Sequence, residues 1–149
     1  MSYINVWLHF VFVTKNRHPY LNSTIRKDVF DHIQQNAKSK GIYLDHINGY
    51  KEHIHCLISL NQMQTIAKVA QMIKGESSRW INQNKLTQKR FEWQIKYYCA
   101  SVSESRIKGL RSYIRFQDDH HKSISFQEEV EKLFKTYKGD DGLKPDGTS

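Results

Sequence analysis

The chain has 149 residues, with 23 Lys and Arg against 15 Asp and Glu, for a formal net charge of +8. That length supports one domain with an ordinary core and no disulfide framework, and its two cysteines, far apart and outside any C-x-x-C, read as reduced thiols of a cytoplasmic protein. The N-terminal run YINVWLHFVFV lacks a basic segment before it, carries Asn5 and His9, and is too short to cross a bilayer, which argues against a secretory signal and a membrane span.

From Tyr3 to Val13 the run is apolar on both faces, with Ile4, Val6, Leu8, Phe10 and Phe12 on one side and Trp7, Val11 and Val13 on the other, as in a central strand covered twice. After the turn-like KNRHPYLN, the four-residue spacing of Ile25, Val29, Ile33 and Ala37 predicts a helix over about 23–40 that Gly41 stops. A strand over 42–47 then turns through Asn48-Gly49, a hairpin signal, into the strand KEHIHCLISL. Ile66, Val69, Ala70, Ile73 and Ile81 form the stripe of a second helix over about 65–82, and WQIKYYCASVS predicts a strand over about 94–102.

This order, β-α-β-β-α-β, predicts an α+β chain of the ferredoxin-like (RRM-like) type, an antiparallel sheet with two helices on one face. Two C-terminal helices follow. One spans about 104–120 with Ile107, Leu110 and Ile114 as its apolar side, and the other opens on the capping box Ser125-Phe126-Gln127-Glu128 and buries Phe126, Val130, Leu133 and Phe134. Residues 1–138 are read as one domain and 139–149, without core-forming residues, as a flexible tail.

Chemistry concentrates first in His53-Ile54-His55. Residues two apart on a strand point to the same side, so two imidazoles can close on one metal ion. A half-exposed strand whose polar face carries His twice gives the same pattern, and the triplet acquires meaning only with further ligands and a reactive group. Tyr113 and Gln117, four apart in YIRFQ, share a helical face and add a hydroxyl and an amide oxygen. His9 reads as a core or supporting residue, and His120-His121, diverging on a helix, do not make a joint metal site.

Charge is uneven. Residues 53–117 hold eleven Lys and Arg against Glu76, Glu92 and Glu104, an excess of eight, whereas residues 118–149 hold five against eight acids. Basic residues interleaved with Trp80, Trp93, Tyr97 and Tyr98 suit a nucleic-acid strand, phosphates on the cations and bases on the rings. Solvated surface accounts for the same composition.

The strand HIHCLISL, the stretch FEWQIKYYCASVSES, the helix YIRFQDDHH and the N-terminal LHFVFVTKNR together resemble the single-tyrosine HUH transposases of single-strand insertion sequences, the TnpA-like proteins, including those associated with repetitive extragenic palindromes. The resemblance covers about 5–135. It implies a DNA transposase that cuts and rejoins single-stranded DNA at hairpin-bearing ends through a 5′-phosphotyrosine, with Tyr113 as nucleophile, His53, His55 and Gln117 as ligands of Mg²⁺ or Mn²⁺, and a homodimer whose active sites are shared between subunits. Many members carry Asp before the first His; this chain has Glu52, a longer carboxylate. Lys15, Arg17, Arg106, Lys108, Arg111 and Arg115 are the expected phosphate contacts. A cytoplasmic, nucleoid-associated bacterial or archaeal protein is implied.

Two other classes fit parts of the pattern. An RRM-like binding module shares the scaffold, but the strands lack its K/R-G-F/Y-G/A-F-V-x-F/Y signature, and two histidines make a poor base-stacking face. A His-based metal hydrolase would leave Tyr113 incidental. A covalent protein–DNA adduct separates the transposase from both.

Overall fold

The computed structural model describes residues 2–117 and 125–138. Four strands, β1 (Val6–Val13), β2 (Tyr43–Gly49), β3 (His53–Leu60) and β4 (Tyr98–Ser101), form one antiparallel sheet in the order β2-β3-β1-β4. Helices α1 (Arg26–Ser39) and α2 (Ile66–Gln83) connect the strands, and α3 (Ile107–Arg115) and α4 (Phe126–Lys138) follow them. This is the expected ferredoxin-like α+β arrangement with two added helices.

The two-faced hydrophobicity of β1 decides where everything sits. Leu8, Phe10 and Phe12 join Ile54, Cys56 and Ile58 of β3 against Val29, Ile33 and Ala37 of α1 and Val69, Ala70 and Ile73 of α2. Val11 and Val13 face the other way and pack on Phe126 and Val130 of α4. Leu57 of β3 packs on Ile107, Leu110 and Ile114 of α3, with Trp7 of β1 at its edge. The second sheet face is therefore roofed by α3 and α4, and the histidines belong to that face, since Val11 pairs with His55 and Val13 with His53.

Several boundaries differ from the sequence-based expectation, beginning with β1, which starts at Val6 and leaves Tyr3 and Ile4 exposed. Asn48 and Gly49 stay in the β2–β3 ladder, opposite His55 and Ile54, and the turn falls on Tyr50–Glu52, closed by the Tyr50 amide donating to the His53 carbonyl at 2.9 Å. Gly49 is needed for close approach instead of for the turn itself, because a Cβ there would overlap the His53 carbonyl oxygen. The strand expected over 94–102 pairs only at Tyr98–Ser101: Ile95 is exposed and Tyr97 turns under the sheet to meet Phe10 and Phe12. The helix expected over 104–120 begins with a 3-10 turn, Glu104–Arg106, and α3 ends at Arg115. Its expected last residues 118–120, His120-His121 and the 139–149 tail lie outside the described residues.

Side-chain caps fix two helix starts. Thr65 accepts from the Lys68 amide at 3.1 Å to cap α2, and Ser125 accepts from the Glu128 amide at 3.2 Å to cap α4. Burial pushes the Cys56 thiol far up and the Cys99 thiol to about 12, which keeps both protonated. No helix among the described residues is long and apolar enough to cross a membrane.

Candidate active site

His53 and His55 are fully buried under α3 and α4, yet each ring is held at both nitrogens. Glu52 Oε1 meets His53 Nδ1 at 2.7 Å, and His9 Nε2 meets His55 Nδ1 at 2.8 Å. The longer Glu52 side chain thus reaches the first histidine from the adjacent position. With Nδ1 of both rings engaged on the β1 and turn side, both Nε2 atoms aim at a common point beneath the helices. Burial, and then the neighbouring His55, holds His9 well below the ordinary histidine range despite the opposing pull of Glu129. A neutral His9 can accept the His55 Nδ1 proton, which leaves the His55 Nε2 lone pair available to a cation.

What lies at the common point is Glu129 of α4. Its Oε1 is 2.7 Å from His55 Nε2, its Oε2 is 3.5 Å from His53 Nε2, and the Tyr113 hydroxyl donates to Oε1 across 2.6 Å. Gln117 sits just beyond the end of α3, past a Phe116 with φ −103° and ψ 35°, so the regular four-residue face is broken there. Its amide oxygen nevertheless lies 3.1 Å from His53 Nε2. Tyr113, His53, His55 and Gln117 are all brought together within one chain.

One ring nitrogen of each histidine and a Glu129 carboxylate oxygen lie within 4.8 Å of one another, and the Gln117 oxygen adjoins His53 Nε2. Two imidazoles with carboxylate and amide oxygens form a donor set suited to a divalent first-row ion or to Mg²⁺. The site is also closed. His53, His55 and Gln117 are 0% exposed and Glu129 1%, because Phe126 stacks on the His53 ring at 4.3 Å between centroids and Arg17 donates to Gln127 at 2.5 Å. With α4 seated this way, the Glu129 carboxylate occupies the hydrogen-bonding position of the Tyr113 hydroxyl.

The six expected phosphate contacts are dispersed. Lys15 pairs with Glu92 at 3.2 Å, and Arg17 holds the start of α4. Arg111 donates twice to Asp45, at 2.8 and 3.1 Å, with its guanidinium over Trp7, and so ties α3 to β2. Arg106, Lys108 and Arg115 are exposed at the start and end of α3.

Glu129 was the functional group that the sequence reading passed over. The signal was present: Phe126, Val130 and Leu133 mark the buried stripe of α4, and Glu129 lies one turn after Phe126 on the same side. An acid on an apolar stripe must find buried partners, which here are two histidines and a tyrosine.

The sequence model of the family described as "Transposase IS200 like" matches residues 2–117. No curated protein matches the chain. Among solved structures, the chain is similar to a candidate transposase of Deinococcus radiodurans R1, with 21% identity, a TM-score of 0.63 and coverage of 78% of this chain and 95% of that one. It is also similar to a REP-associated tyrosine transposase bound to a REP hairpin, with 15% identity, a TM-score of 0.61 and coverage of 97% and 90%.

Proposed function

The chain belongs to the IS200-like transposase family, and we propose that it cuts and rejoins single-stranded DNA at hairpin-bearing ends through a 5′-phosphotyrosine on Tyr113. The observation that carries this reading is the placement of the Tyr113 hydroxyl against the same carboxylate oxygen that meets His55. Of the groups around that oxygen, the phenol is the one that can form an ester with phosphorus.

A free phenol titrates near 10 and is a weak nucleophile at neutral pH, so the site has to neutralise the attacked phosphate. His53, His55 and Gln117 would hold the divalent cation, Mg²⁺ or Mn²⁺, with Glu129 as a further donor while α4 is seated. When bound, such an ion supplies charge neutralisation at the non-bridging phosphate oxygens. Glu52 and His9 hold the two rings in the tautomers that this requires.

The residues then act in sequence. Helix α4 withdraws and takes Glu129 out of the seat that the scissile phosphate needs. The Tyr113 oxygen forms a bond to phosphorus as the bond to the 3′ oxygen breaks; the phenolic proton passes to the water admitted with the DNA, and the leaving 3′ oxygen takes a proton from water. The phosphodiester energy is retained in the tyrosyl ester, so attack by another 3′-hydroxyl rejoins the strand without an external energy source. Arg106, Lys108, Arg115 and Lys15, with Arg17 once α4 lifts, serve as phosphate contacts. Arg111 contributes by holding α3 in place.

Residues 1–138 act as one domain in this reading. One chain joins Tyr113 to its own histidines; a homodimer sharing its sites would bring the same residues together by exchanging α3 between subunits. The test is Tyr113→Phe, which removes one oxygen. Cleavage of hairpin-ended single strands should vanish while binding stays nearly intact, and continued cleavage would reassign the nucleophile.

A further inference from the structure

Beside Tyr113 an open groove of about 400 Å³ runs along α3, lined by Val102, Arg106, Gly109, Leu110, Tyr113 and, from α4, Leu133. Its size falls in the roughly 300–1,000 Å³ range of small-molecule clefts, and apolar walls with one cation at the rim are the usual lining of such sites. All of these residues except Leu133 lie on α3 or on the segment leading into it, so the α3 wall of the groove stays with Tyr113 when α4 lifts.

Gly109 is its informative member. It sits inside α3, where glycine is among the least favourable helix formers, and a Cβ at this position would meet nothing within 4 Å. Neither backbone geometry nor packing among the described residues requires glycine there. What it preserves is open space in the groove, one turn from the tyrosine.

We infer that this groove is the seat of one nucleotide, the one whose 5′ phosphate becomes esterified to Tyr113, with its base on Val102, Leu110 and the Gly109 floor and its next phosphate at Arg106. The assignment rests on the strand-cleavage reading above. It is chosen over the nucleotide on the leaving side because the tyrosyl-linked nucleotide stays within reach of α3 throughout the covalent stage, whereas the 3′-hydroxyl strand must be able to depart and be replaced.

The experiment uses the full chain with Mn²⁺ and hairpin-ended single-stranded oligonucleotides taken from the DNA flanking its coding sequence, with an abasic residue placed on one side of the cut or the other. The wild type should lose about tenfold in the rate of adduct formation when the abasic residue is on the tyrosyl side, as expected for a lost base contact. Gly109→Leu, which favours the helix and fills the groove, should lose a similar factor on the intact strand and no more on the abasic one. A second readout is independent of cleavage: 2-aminopurine at the tyrosyl-side position should change its fluorescence on binding Tyr113→Phe, and that change should be absent from Tyr113→Phe/Gly109→Leu. Gly109→Leu that melts normally and forms adduct at the wild-type rate, or losses that simply multiply, would overturn the groove assignment alone. No adduct from the wild type on any strand would overturn the cleavage reading and this assignment with it.

Discussion

The hydroxyl of Tyr113 and the carboxylate of Glu129 are joined by a 2.6 Å hydrogen bond between two different C-terminal helices, at the point where two strand-borne imidazoles converge. The nucleophile of the proposed reaction is thereby occupied by an anion of its own chain. Closure and catalysis compete for one seat.

That competition gives the first prediction. Glu129→Ala removes the acceptor of the Tyr113 hydroxyl and the carboxylate that meets His55 Nε2, while keeping Phe126 and Val130, which pack α4 on β1. Hydrogen bonds to a charged group are worth about 1.5–3 kcal/mol each, so the open form should gain about tenfold or more in population. Adduct should form correspondingly faster in single turnover, and protease should cut near α4 more readily. A variant that is slower than wild type at saturating Mn²⁺ would show that Glu129 works in the reaction.

The cation site is tested by binding. His53→Ala and His55→Ala should each abolish the heat of Mn²⁺ binding and the Mn²⁺-dependent rise in Tm. Glu52→Ala, which removes the acceptor at His53 Nδ1, should cost about 10–100-fold in affinity. Gln117→Ala removes a neutral donor and should be milder, with activity recovered in excess Mn²⁺. Unchanged Mn²⁺ affinity in both histidine variants would remove the metal from the account.

Much of this arrangement was legible in the chain. The two-faced apolar run of β1, the alternation at His53 and His55 and the stripes of α1 and α2 each follow from one periodicity, and the sheet order follows from their succession. The misplaced hairpin turn had a different cause: Asn48-Gly49 is a turn signal, but here the glycine answers a backbone approach across the ladder. Gln117 was found through its spacing from Tyr113, although the helix that made the spacing meaningful stops at Arg115. Glu129 stands on the apolar stripe of α4, which marks it for burial, but its partners come from the tertiary packing of α4 over β1, which no local pattern in the sequence expresses. For Arg111, the nearby Asp45 is 66 residues away, and a helix surface cation looks the same whether it meets phosphate or a strand carboxylate.

The Asp45–Arg111 pair predicts how stability responds to acid. Burial alone would raise the Asp45 carboxyl, but hydrogen bonds from Arg111 and then His46, with their charges, outweigh it and hold it below its ordinary 3.8. A carboxyl depressed in the folded state contributes stability above its unfolded pKa, and that contribution is lost as pH falls through the folded value. Tm of the wild type should therefore drop more steeply below pH 3.8 than Tm of Asp45→Asn, the two curves converging in acid. Parallel curves would mean that the pair is not formed in solution.

Binding should respond to salt. If the basic face meets phosphates, log Kd against log salt should have a slope of roughly 0.7 per phosphate neutralised on single strands. Arg106→Gln and Arg115→Gln should weaken binding and flatten that slope, whereas Lys132→Gln and Lys135→Gln on the acidic final helix should do little. Equal losses at both places would move the DNA path elsewhere.

The proposed reaction turns on a covalent bond between one side chain and one DNA end. Trapping the full chain on hairpin-ended single-stranded DNA with Mn²⁺, digesting the product and locating the added nucleotide mass by peptide sequencing in a mass spectrometer tests it directly. The expected product is a 5′-phosphonucleotide on the Tyr113 hydroxyl with a free 3′-hydroxyl on the released strand. A modification on another residue, or cleaved DNA with no protein-linked product, would contradict it.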